Sequence, residues 1–140
     1  MNHDRHAARY VSKLSNKLRR RIDAFSTHGQ MSGSQGRALH FLLAQQDAVY
    51  QKDIEDEFSL RPSTATELLK AMERDGLIRR EAVPQDARLK RLVVTDKALA
   101  YKQAVMADIL GLEDELTRGI PPEEMEVFFR VMEKMLDNMR

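Results

Sequence analysis

A chain of 140 residues that is 42% hydrophobic and 32% charged is large enough to bury a core of its own, which argues against an intrinsically disordered protein. No apolar run approaches the roughly 18 residues needed to span a bilayer, and the opening MNHDRHAARY holds no signal-peptide core, so a cytoplasmic protein is expected. The absence of cysteine excludes disulfides, thiolate zinc sites and cysteine-based redox sensing.

The net charge of +1 conceals segregation: residues 1–27, 28–60, 61–91 and 92–140 carry +5, −3, +3 and −4. Only this local distribution, not the whole-chain balance, points towards a polyanionic partner.

The first predicted element is a helix over residues 4–26, with Ala7, Val11, Leu14, Leu18, Ile22 and Phe25 as its apolar stripe. Arg9, Lys13, Lys17 and Arg20 or Arg21 run down another side, either as a solvated face on a dimerisation helix or as cations that meet phosphates or an acidic effector. Ser32-Gly-Ser-Gln35 matches the S-x-x-Q capping box and opens a second helix with Leu39, Leu42 and Leu43 inward. Ser34, Gln35 and Arg37 lie near its amino end, where free N–H groups favour a phosphate, although simple capping explains them too.

Asp47-Ala-Val49 suggests a short extended piece, and Gln51 to Phe58 a short helix with Ile54 and Phe58 inward. That helix is too short to stand alone and needs the next one across the turn Ser59-Leu60-Arg61, which makes a helix-turn-helix. The next helix starts at Pro62, where a missing N–H is harmless, and stops at Gly76. Ala65, Leu68, Leu69 and Met72 share its buried face, leaving Ser63, Thr66, Glu67, Lys70 and Arg74 outward. Leu77 to Val83 and Arg91 to Val94 read as two strands around the polar turn Pro84-Gln85-Asp86-Ala87. Helix, glycine stop, two strands and a charged tip make a winged helix-turn-helix.

Thr95 is expected to cap one long helix bearing Leu99, Val105, Met106, Ile109, Leu112 and Leu116, with a possible bend at Gly111. Gly119-Ile-Pro-Pro122 breaks the chain before a last helix carrying Met125, Phe128, Phe129, Met132, Met135, Leu136 and Met139. That wide stripe, with the first helix, reads as a dimer interface rather than a methionine-rich ligand groove.

The element order, the block LLKAMERDGLIRR, the wing tip Asp86-Ala-Arg88-Leu-Lys90 and the cap Thr95 together resemble the MarR family of bacterial transcription regulators, over about residues 10 to 137. Tyr50 departs from the family's usual Ser or Thr cap on the short helix. The resemblance implies a mainly α fold with a small β-wing: one domain over 1–140, with a winged helix at 32–95 and dimerisation helices at 1–28 and 96–140. It implies a homodimer that places two recognition helices in successive major grooves of double-stranded DNA at an inverted repeat, about 34–36 Å apart. Arg61, Ser63, Thr64, Thr66 and Lys70 would face bases and phosphates, with Ser34, Gln35 and Arg37 as further DNA contacts. Arg88 and Lys90 would meet the minor groove, and Asp86 would hold Arg88. A repressor released by a small aromatic or anionic effector is implied as well, in a crevice lined from Tyr10, Leu14, His40, Leu43 and Met106.

Contrasting readings are weaker. No Gly-rich phosphate loop, nucleophile elbow or zinc motif supports an enzyme, and no cofactor is expected. His3, His6, His28 and His40 lack a compact ligand motif, so no metal site is expected, with a metal-responsive regulator as an alternative. A winged helix used only for protein–protein contact would show an acidic or apolar outer face rather than the basic, hydroxyl-bearing one of 63–74.

Overall fold

A computed structural model describes residues 5–25 and 31–140. Its elements, in chain order, are α1 (Ala7–Asp23), α2 (Gly33–Ala44), α3 (Gln51–Phe58), α4 (Pro62–Arg74), β1 (Ile78–Val83), β2 (Asp86–Val94), α5 (Asp96–Leu99), α6 (Lys102–Thr117) and α7 (Pro122–Asn138). The chain divides into two compact units, one up to Ile109 and one from Leu110 onward.

The first unit is a winged helix-turn-helix around one apolar core. Helix α2 contributes Ala38, Leu39 and Leu42, α3 Ile54, α4 Leu69 and Met72, and the hairpin Leu77, Ile78 and Leu92. Val49, Ala98 and Val105 complete the core from the flanking segments. Burying each large side chain contributes about 1.5–3 kcal/mol, and these contributions dominate the fold. The capping box is formed: the Gln35 N–H donates to Ser32 Oγ, and Gln35 Oε1 accepts from the Ser32 N–H, both at 3.1 Å. At α3 only the reciprocal half exists, with Asp53 Oδ2 accepting from the Tyr50 N–H at 2.9 Å, because a tyrosine hydroxyl sits too far from its own backbone to cap.

Strands β1 and β2 pair antiparallel from Ile78↔Val94 to Val83↔Asp86, with an irregularity between Ala82 and Val83. The extended piece at Val49 joins as an isolated bridge, its carbonyl accepting from the Leu92 N–H at 2.8 Å. The second strand is longer than its apolar residues suggest. Asp86 and Ala87, expected in the turn, already belong to β2, because backbone pairing carries the ladder to the tip without any apolar face.

One further expectation is corrected. Thr95 caps only the four-residue α5, accepting from the Ala98 N–H at 3.2 Å. The Tyr101 N–H then bonds the Ala98 carbonyl at 2.9 Å, a three-residue step that tightens the path before α6 begins. The helix continues through Gly111 and stops near Gly119, whose φ of +79° suits only glycine well.

Helix α1 packs against α2 at Gly33, where an added Cβ would displace the Asp23 carboxylate and press on Ile22 Cγ2 at 3.0 Å. Of the stripe expected on α1, only Ile22 is buried, while Val11 and Leu14 are exposed. The second unit is helical, and α7 buries none of its residues. Among the described residues, no helix is long and apolar enough to cross a membrane.

Candidate nucleic-acid interface

Helix α4 owes its orientation to the turn before it. Ser59 ends α3 in the left-handed region, at φ 51° and ψ 46°, and the Leu60 N–H returns to the Glu55 carbonyl at 2.9 Å. Arg61, exposed, then occupies the N-cap position of α4 and Pro62 its first turn. With Ala65, Leu69 and Met72 wholly buried, Ser63, Thr64, Glu67 and Lys70 are left exposed on the other side. These four, with Arg61, present two hydroxyls, two cations and the Glu67 carboxylate on the exposed side.

Thr66 is different. It is half-buried, its hydroxyl donates to the Pro62 carbonyl at 2.8 Å, and it accepts from Gln51 Nε2 at 3.0 Å. Gln51 thus stitches α3 to α4, a role that the sequence did not reveal because its partner lies fifteen residues away.

At the wing tip, Asp86 Oδ1 accepts from the Arg88 backbone N–H at 2.9 Å and from Arg88 Nε at 3.4 Å, while the Arg88 side chain remains 92% exposed. Lys90 is exposed beside it. Lower on the hairpin, Glu81 accepts from Arg91 Nη2 at 2.7 Å and from Arg79 Nε at 3.1 Å. The Arg91 and then the Arg79 guanidinium hold its carboxyl below the usual carboxylate range. Arg79 and Arg91 are therefore engaged with Glu81, whereas Arg88 and Lys90 project from the tip.

The amino end of α2 departs from expectation. Ser34 is exposed, but Gln35 is only 6% exposed, and its amide is consumed by the cap and by Asp75 Oδ2, to which Nε2 donates at 3.0 Å. Gln35 is thus an internal strut between α2 and the end of α4. Arg37 is half-buried with its guanidinium 6.0 Å from the Phe58 ring centroid, and its Nε is buried without a hydrogen-bond partner. It too leans inward.

Arg37 borders a cavity of about 280 Å³ shared with His40, Phe41, Ala44, Glu57, Phe58 and Ile109. Of the expected crevice residues only His40 lines it. Tyr10 and Leu14 are exposed on α1, Leu43 packs against the core, and Met106 is half-buried. Among the described residues no three His, Cys, Asp or Glu side chains gather as a metal site; His3 and His28 lie outside the described residues.

Residues 30–89 match the MarR family. The fold is similar to that of S. aureus MepR in its DNA-binding conformation, at 26% identity over 97% of this chain and 100% of that one, with a TM-score of 0.88. It is similar also to the transcription regulator MarR from Oenococcus oeni PSU-1, at 28% identity, 94% and 99% coverage and a TM-score of 0.84. The S. aureus MepR–DNA complex matches at 25% identity, 98% and 100% coverage and a TM-score of 0.84. No curated protein sequence matches the chain.

Proposed function

We propose, from the premise that this chain is a winged helix-turn-helix protein of the MarR family, that it is a cytoplasmic transcription regulator binding an inverted-repeat operator as a homodimer. The observation that carries the reading is the pairing of two outward cationic features on one rigid head. One is the face Arg61, Ser63, Thr64 and Lys70 of α4; the other is Arg88 with Lys90 at the wing tip. The similarity to a regulator solved on DNA supports the same reading.

In this scheme α4 enters the major groove, where hydroxyls and Lys70 meet base edges and phosphates. The wing carries Arg88 to the minor groove, where a fixed guanidinium fork suits a narrow, electronegative channel. Thr66 contributes by holding the helix and Ser34 by meeting a flanking phosphate. One domain spans the whole chain, with the winged helix at 32–95 and the flanking helices pairing two copies. The exposed apolar residues of α1 and α7 support that pairing. Repression is relieved when a small aromatic or anionic molecule enters beside α2, where the cavity at Arg37, His40 and Phe58 offers an aromatic wall and a cation.

The test is titration of an operator, selected from random duplexes with the parent protein, at two salt concentrations. Arg88→Ala should cost about 1–3 kcal/mol of specific binding and flatten the salt dependence, with thermal stability nearly unchanged. Arg88→Ala binding like the parent, or a parent that retains no duplex, would remove the reading in favour of a protein-contact module.

A further inference from the structure

Residues 75–77 gather three elements at the far end of α4. Gln35, at the start of α2, donates from Nε2 to Asp75 Oδ2 at 3.0 Å. Lys97, in α5, donates from Nζ to the Asp75 carbonyl oxygen at 2.7 Å. Thr95 donates its hydroxyl to the Gly76 carbonyl at 2.5 Å, and Gly76 itself turns the chain at φ +77°. At the near end, Gln51 holds Thr66. Helix α4 is thus fastened by directional bonds at both ends, with its apolar face between them.

The division of labour has a physical basis. Apolar burial is strong but non-directional, so Ala65, Leu69 and Met72 keep α4 on the core without fixing its tilt to a fraction of an ångström. Hydrogen bonds do fix it, because they weaken steeply with distance and angle. A helix of 13 residues is about 20 Å long, so a tilt of only about 3° about one end displaces the other by about 1 Å. A displacement of that size is enough to spoil a base contact. The Gln35 amide also holds the Asp75 carboxyl below the usual carboxylate range, ahead of Arg74 and Lys97 in effect, which marks the bond as one that the ionised form makes well.

We propose that Gln35 and Asp75 are positioning residues for sequence discrimination: their hydrogen bond sets the angle at which α4 is presented, although neither side chain meets DNA. The inference rests on the DNA-binding reading above. It also gives α2 a mechanical role, since the helix whose first turn holds Gln35 carries Arg37, His40 and Phe41 on the cavity wall. A molecule in that cavity that shifts α2 along its length would pull on α4 through this bond.

The bond can be separated from the cap. Gln35→Glu keeps the S-x-x-E form of the capping box but sets a carboxylate against Asp75. Adding Asp75→Asn restores a donor–acceptor pair with its direction reversed. The measurement is affinity for the selected operator and for random duplex, beside thermal melts and the CD spectrum. Gln35→Glu should lose at least tenfold in operator affinity while random-duplex affinity and helix content hold, and the double variant should recover to within about threefold of the parent. Asp75→Ala, which removes the acceptor without adding a charge, should repeat the loss if Gln35→Glu folds poorly. Operator binding unchanged in both single variants, or a double variant no better than Gln35→Glu, would overturn the proposal. A parent with no preference for any duplex would instead remove the DNA-binding reading, and this inference with it.

Discussion

Helices α4 and α7 both take a proline into their first turn and both carry an apolar stripe, yet they end in opposite surroundings. Ala65, Leu69 and Met72 of α4 are wholly buried, whereas Phe128 and Phe129 of α7 stay 44% and 47% exposed and Leu136 62%. The difference lies in what the neighbouring sequence supplies. Helix α3 and the hairpin flank α4 directly and close over it. No residue of α7 is buried, and its two phenylalanine rings meet each other edge to face at 5.4 Å. A helical stripe therefore announces that a face seeks cover without saying where the cover comes from. For α4 it is the same chain, and for α7 we propose a second copy.

The sharpest way to break this contrast is to charge the uncovered face. Phe128→Glu combined with Phe129→Glu should leave the winged helix folded by CD and convert the protein to a monomer at micromolar concentration in sedimentation. A parent that already sediments as a folded monomer would end the proposal of a second copy. The converse experiment addresses α4. Leu69→Ala removes a side chain from a fully buried site and should cost about 2–5 kcal/mol in urea unfolding, with no specific loss of self-association. If Leu69→Ala and the charged α7 variant gave the same pattern, the two faces would not differ in the way described.

A smaller effect tests the head alone. The Glu81 carboxyl is held low in the folded state by Arg91 and Arg79, so between its folded pKa and the ordinary carboxylate value the unfolded chain binds more protons. The stabilisation from this group is complete above the ordinary value and is lost as pH falls through the lowered one. Because Glu81 and its partners face solvent, the effect is small. Thermal melts from pH 6 down to pH 3 should show Glu81→Gln with a slightly shallower acid limb than the parent, and an identical limb would mean that the wing's ion pairs contribute nothing.

What was legible in the sequence follows the same division. The core face of α4, the capping box of α2 and the glycine stop at Gly76 were readable because each depends on residues within one or two turns. The projecting wing tip was readable for that reason as well, since Asp86 and Arg88 are two residues apart. The strut at Gln35 was not readable because the S-x-x-Q pattern identifies the cap made by Oε1 but not the acceptor of Nε2, which lies forty residues away. The contact of Arg37 with Phe58 was out of reach for the same reason, since only the fold brings the two together. The step at Tyr101 was invisible for a different reason: no glycine or proline marks it, and Ala98, Tyr101 and Val105 keep a helical spacing across it.

Thr95 has a consequence for the order in which the molecule assembles. Its N–H bonds the Leu77 carbonyl at 3.1 Å while its hydroxyl bonds Gly76, so one residue fastens both ends of the hairpin. Hairpins of this kind form within about 1–10 μs, and the closure depends on no encounter with another molecule. Cover for α7 from the proposed second copy has to arrive by diffusion, at a rate set by protein concentration. The wing can therefore be complete on a single newly made chain, and dilution delays pairing without delaying the wing.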